Sequence, residues 1–223
     1  LPVDDPAWRH VVINELTRRE FADRGLHATR IYNGFPPQTP VGTAPHVRAA
    51  LDIATDEIVL AHPVRAIPRK DVPTAVALTE AIGGTYWLWG PAEDGYGDEL
   101  AAILAAARCR VVHGAPDVEP SELYRAATAV LFPSTWEGFG NPPVEAAIHG
   151  LPVAVGPYPV ADELRTLGFR WFPTDDHRPL QNYLTDPDPV LIEHNRRVAL
   201  EELSLDAMTG AIKALFAEAG WLP

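Results

Sequence analysis

The chain has 223 residues, 47% hydrophobic and 22% charged, which is enough for one sizeable domain with a full core. A formal net charge of -12 argues against a nucleic-acid-binding domain and requires any anionic ligand to be held by a local cationic site. One cysteine, Cys109, rules out an internal disulfide framework and fits a reducing, cytoplasmic setting, and no apolar run approaches a membrane span. No secretion signal is read at the N-terminus.

In chain order, residues 11–32 read as strand, helix and strand (Val11 to Ile13, Glu15 to Asp23, Thr29 to Tyr32), closing on the turn Asn33-Gly34. "FPPQTPVGTAP" follows, a proline- and glycine-rich linker. Strands are then expected at Ile58 to Ala61, Thr85 to Trp89, Arg110 to His113, Ala129 to Phe132, Val153 to Val155 and Phe169 to Phe172. Helices are expected between them at 71–82, 97–108, 119–127, 142–149, 160–167 and 178–184, and residues 189–219 read as two more. Short apolar strands alternating with amphipathic helices predict an α/β doubly wound parallel sheet, Rossmann-like, with ligands beyond the carboxyl ends of its strands.

Two segments carry chemistry. In "FPSTWEGFGNPPVEAAIHGLPVAVG", the glutamates Glu137 and Glu145 are seven residues apart and flank a glycine turn. The turn leads into a proline-started helix for which Asn141 is the expected cap. Pro142 and Pro143 have no N–H, so the amides offered to a ligand are those of Gly138, Phe139, Gly140 and Asn141, with Val144. Exposed amides at a helix start favour phosphate. Glu145 is expected in the first helical turn and Glu137 on the loop, both facing one crevice. In the second segment, "AHPVRAIPRKDVPTAVALTEA", Arg65, Arg69 and Lys70 follow the first strand of the large sheet. An arginine and a lysine five residues apart there can grip a diphosphate.

These segments, with "GPYPVADEL" and the upstream "ELTRREF" and "IYNGF", resemble the retaining GT-B glycosyltransferases, particularly family four of the sequence-based classification. The resemblance implies the C-terminal, donor-binding domain of a longer enzyme that transfers a hexose from a UDP- or GDP-linked sugar to an unknown acceptor. It divides the chain into 1–38 (the end of an N-terminal acceptor domain), 39–203 (the nucleotide-sugar-binding domain) and 204–223 (a helix crossing back). By itself such a piece is expected to be inactive, and any peripheral membrane contact would come through the other domain. By resemblance Arg65 and Lys70 bind the donor diphosphate and Glu145 holds the ribose diol. Glu137, with the amides near Phe139 and Gly140, faces the donor sugar, so that Arg65, Lys70 and Glu137 form the catalytic set. No metal and no cofactor are implied. Val64 and Asp71 stand where the family usually has glycine, and Asp71 would put a negative charge beside the phosphate site.

Other readings carry less. Eight histidines lack metal-ligand spacing, and His149 reads as a favourable cation at a helix end. Trp87 and Trp89 read as core. Lys70 as a pyridoxal-phosphate lysine fits its proline-flanked loop poorly. The alternative from another class is a non-catalytic module binding a nucleotide or sugar phosphate.

Overall fold

The computed structural model describes residue 5 and residues 7–37 and 43–221. Residues 38–42 of the predicted linker, and with them the expected 38/39 boundary, lie outside the described residues.

The N-terminal unit is β1 (His10–Val12), α1 (Glu15–Asp23) and β2 (Ala28–Arg30). Its strands pair in parallel, His10 opposite Ala28. Asn14 caps α1 by accepting the Thr17 N–H at 2.6 Å. The unit is tied to the rest of the chain by Glu163, whose carboxylate accepts the Glu15 N–H at 2.8 Å and the Tyr32 hydroxyl at 2.7 Å.

After α2 (Pro45–Ala50), the large sheet is built from β3 (Val59–His62), β4 (Thr85–Leu88), β5 (Arg110–His113), β6 (Ala129–Phe132) and β7 (Val153–Val155). The strands are parallel and ordered β5-β4-β3-β6-β7. The chain starts in the middle at β3, winds outward through β4 and β5, then returns to β6. The order therefore reverses between β3 and β6, and a crevice opens beyond their carboxyl ends. The helices α3 (Val72–Ile82), α4 (Gly97–Ala106), α5 (Pro120–Ala126), α6 (Asn141–Ile148) and α7 (Pro159–Thr166) connect or follow the strands. The chain ends with α8 (Arg178–Thr185), α9 (Pro189–Glu202) and α10 (Leu205–Glu218).

Every residue of β3, β4, β6 and β7 is buried, as strands covered on both faces must be. Leu60, Leu88, Leu131 and Phe132 are fully buried, each worth roughly 1.5–3 kcal/mol of transfer. On α6, Pro143, Val144, Ala146, Ala147 and Ile148 are buried between the sheet and α9, and the two alanines allow close approach. This packing fixes the position of the helix that carries Glu145.

Two expectations need correction. Phe169 to Phe172 is not a strand but a single bridge, Ala154 to Phe172. The buried side chain of Asn195 takes both backbone groups of Arg170, accepting from its N–H and donating to its carbonyl at 2.8 Å each, so no ladder extends there. The helix α2 was not read in the sequence. Its Val47 is fully buried, and Arg48 donates to the carbonyls of Ala54 and Glu57. Trp89 lies one residue beyond β4.

The N-terminal unit and the last helix are in contact. Phe35 and Ser204 form a parallel bridge, and the Arg9 guanidinium lies 5.9 Å from the Trp221 ring. No helix among the described residues is long and apolar enough to cross a membrane.

Candidate functional site

The loop after β3 and the loop after β6 face each other across the point where the strand order reverses. The first folds into a short 3-10 turn, Pro68–Lys70, and Asp71 ends it at φ 52° before capping α3. The Asp71 carboxylate is bonded to the Thr74 N–H at 3.2 Å and the Thr74 hydroxyl at 2.7 Å. Its oxygens therefore serve the cap of α3.

Lys70 is buried and ion-paired with Glu137, itself only 8% exposed. Arg69 adds a second contact, 2.9 Å from the other Glu137 oxygen. Burial holds the Lys70 ammonium below its usual pKa, while the Glu137 bond pushes the other way. The Lys70 nitrogen also lies 5.0 Å from the centre of the Phe132 ring. Backbone bonds join the two loops: the Thr135 N–H donates to the Arg69 carbonyl and the Arg69 guanidinium to the Trp136 carbonyl, each at 2.9 Å. Trp136 is 54% exposed on this loop. Arg65 pairs with a different carboxylate, although its charge reaches Lys70 and helps lower that pKa. It is exposed and pairs with Glu93 at 2.5 Å.

Glu137 leads into the glycine turn. Among the described residues the N–H groups of Gly138, Phe139 and Gly140 have no acceptor. Asn14 donates to the Gly138 carbonyl at 2.6 Å, so the same side chain caps α1 and steadies the turn. Phe139 is buried between Tyr32 and Phe35, with ring centres 5.9 and 6.3 Å away. Gly140 has φ 94°, and a Cβ there would meet the Tyr158 hydroxyl at 2.1 Å, so only glycine fits. The helix starts one residue earlier than expected: Gly140 is its cap, and Asn141 is the first helical residue, its side chain 3.0 Å from Asn33. Val144 is buried in that helix.

Glu145 consequently sits in the second turn of α6, not the first. Its carboxylate accepts the Tyr124 hydroxyl at 2.6 Å. Burial pushes the Glu145 carboxyl above its usual pKa, and the Tyr124 hydrogen bond pulls it back down. Both residues line a cavity of about 220 Å³ with Phe35, Pro36, Glu119 and His149 among its walls. His149 stacks on Tyr124, ring centres 5.0 Å apart and 12° from parallel. Burial, and then Arg125, lower the His149 pKa, so the imidazole is neutral, which corrects its reading as a helix-end cation.

Lys70, Arg69 and Glu137 meet beside the glycine turn, Glu145 lines the Tyr124 cavity, and Arg65 pairs with Glu93. The sequence reading missed Tyr124, Tyr158 and the anchoring Asn14. Tyr124 lies in an amphipathic helical stretch where an aromatic reads simply as core.

Residues 53–185, more than half of the chain, match the family of glycosyl transferases group 1. A 72-residue stretch is 42% identical to the O-antigen chain mannosyltransferase RfbU of Salmonella typhimurium, covering 30% of this chain and 20% of that protein. In fold the chain is similar to HepE of Anabaena, solved in complex with UDP, at TM-score 0.77 and 21% identity over 93% of this chain and 63% of that one. A glycosyltransferase of Rickettsia africae gives TM-score 0.78 and 14% identity over 95% and 63%. This chain thus spans about two-thirds or less of each of these relatives. The shared architecture is the Rossmann-like domain of GT-B glycosyltransferases, and the chain belongs to the glycosyl transferases group 1 family.

Proposed function

We propose that this chain binds the nucleoside diphosphate sugar donor of a retaining hexosyltransferase, with the diphosphate at Lys70 and the glycine turn and the ribose at Glu145. The observation that carries the reading is the buried Lys70–Glu137 pair beside the open amides of Gly138, Phe139 and Gly140. A lysine with few water contacts, facing helix-start amides at the sheet's reversal point, is a local anion site in a chain of net charge -12. Glu145, one oxygen already bonded, offers the other to a diol. Arg65 joins by exchanging Glu93 for a phosphate, a movement its exposed side chain permits. In catalysis Lys70 and Arg65 stabilise charge growing on the leaving diphosphate, while Glu137, released from Lys70, meets the transferred sugar. HepE of Anabaena has been solved with UDP-glucose, which makes UDP the first nucleotide to test and GDP the second.

The test is calorimetric titration of UDP, GDP, ADP and UDP-glucose into the wild-type chain and Lys70→Ala. The proposal expects one diphosphate to bind, and Lys70→Ala to weaken it roughly ten- to a hundred-fold while the bare nucleoside is little affected. Diphosphate binding that ignores Lys70 refutes it.

A further inference from the structure

Glu145 occupies an unusual setting for a ligand-binding carboxylate, because one of its oxygens is already engaged inside the protein. The Tyr124 hydroxyl donates to Glu145 Oε2 at 2.6 Å from a side chain that is itself buried. The phenol has little freedom. Its ring is held edge-on by Trp89 and face-on by His149, both with ring centres 5.0 Å away. Burial, reinforced by the Glu145 charge, keeps the phenol far above its usual pKa, so it remains a donor at every working pH.

Resting on the nucleotide-binding reading above, we infer that Tyr124 is a positioning residue for Glu145: its hydroxyl pins one carboxylate oxygen and keeps the other ionised and oriented for the ribose hydroxyls of the bound nucleotide. A carboxylate is the better acceptor for a diol, and a protonated carboxyl spends an oxygen as donor. Burial favours the protonated form of Glu145, and the Tyr124 bond opposes it. The charged and titratable groups around the pair are Glu119 at the start of α5, Arg125 beside Tyr124, and His149 at the end of α6. Burial, and then the nearby Arg125, hold the His149 imidazole below its usual pKa. Nucleotide binding therefore weakens as pH falls through the Glu145 pKa, and Tyr124 sets how early that happens.

The experiment titrates UDP, with GDP and ADP in parallel, into wild type, Tyr124→Phe, Glu145→Gln and the double variant from about pH 5.5 to about pH 8.5. Phenylalanine keeps the ring between Trp89 and His149 and removes only the hydroxyl. The ligand's own titration is common to all four proteins and cancels in their ratios. At the alkaline end Tyr124→Phe is expected within about three-fold of wild type. On acidification it falls away earlier, reaching roughly ten-fold weaker at mildly acidic pH, the size of a lost charge-assisted hydrogen bond. In the Glu145→Gln background, removing the hydroxyl should no longer move the profile. A constant offset between wild type and Tyr124→Phe at all pH values, or coincident curves, overturns the positioning role and leaves nucleotide binding standing. Absence of binding by wild type to all three diphosphates overturns both.

Discussion

Glu137→Gln should make the protein bind free UDP more tightly, although it removes a charged residue from the proposed donor site. The carboxylate of Glu137 lies on Lys70, the cation proposed to hold the diphosphate, and on its neighbour Arg69. An incoming phosphate must displace it. A hydrogen bond to a charged partner contributes about 1.5–3 kcal/mol and a neutral one about 0.5–1.5, so the amide competes less by about 1 kcal/mol per contact. Lys70, with its side chain 11% exposed, counts fully. Arg69, at 35%, counts for less because solvent screens it. The total is about 1–2 kcal/mol, or roughly five- to thirty-fold tighter UDP. The same substitution should lower folding stability, since breaking a buried pair from one side costs about 3–5 kcal/mol and the amide recovers part of that. UDP-glucose should gain less than UDP, because the proposed sugar contact is lost. Calorimetry at fixed ionic strength reads the two affinities, and a urea melt reads the stability. UDP affinity unchanged or weakened in a folded Glu137→Gln would refute the idea that this carboxylate guards the anion site.

Four further outcomes follow from the geometry. His62 is fully buried, bonded through Nδ1 to the Tyr86 hydroxyl at 2.8 Å, with burial and then Lys70 lowering its pKa from 6.5 to about 3. Its folded pKa is depressed, so the unfolded chain takes up the proton first. Stability is present above pH 6.5 and falls by up to ~1.4 kcal/mol per unit as pH drops towards 3; His62→Gln should flatten that limb in urea melts across this range, and an unaltered slope would contradict the assignment. Gly140→Ala should cost roughly 2–4 kcal/mol from left-handed strain and overpacking against Tyr158, and should lose UDP binding with the turn. Tyr158→Phe removes a buried hydroxyl that has no partner among the described residues, so it should be neutral or stabilising in thermal melts and should partly rescue Gly140→Ala. Arg65→Ala should weaken UDP less than Lys70→Ala does, because Arg65 must leave Glu93 and is 60% exposed; equal losses would mean Arg65 is already committed to the site.

The doubly wound sheet was legible because its strands are short apolar runs and its helices have clear period. Residues 129–132 and 153–155 form strands with the bounds read from the sequence. Phe169 to Phe172 has the same apolar signature, yet its ladder is taken by Asn195 from 25 residues away, a tertiary competitor that local pattern does not encode. The glycine turn and the carboxylates were likewise visible as types and spacing. What spacing could not reveal is pairing: Lys70 and Glu137 are 67 positions apart, and only the reversal of strand order brings their loops together. The helix start shifted by one residue because Gly140, through its positive φ, took the cap that Asn141 was expected to supply. His149 was misread for a similar reason. A helix-end histidine suggests a cation, but burial, and then the nearby Arg125, favour the neutral ring.

The most direct test of the donor-site assignment is a crystal structure of this chain with UDP. The account predicts diphosphate oxygens within hydrogen-bond distance of the Lys70 ammonium and the amides of the 138–140 turn, with Glu137 displaced from Lys70. It also predicts the ribose hydroxyls on Glu145, with the Tyr124 bond intact. A nucleotide lying elsewhere, or one bound at this edge while the Lys70–Glu137 pair stays closed, would contradict it.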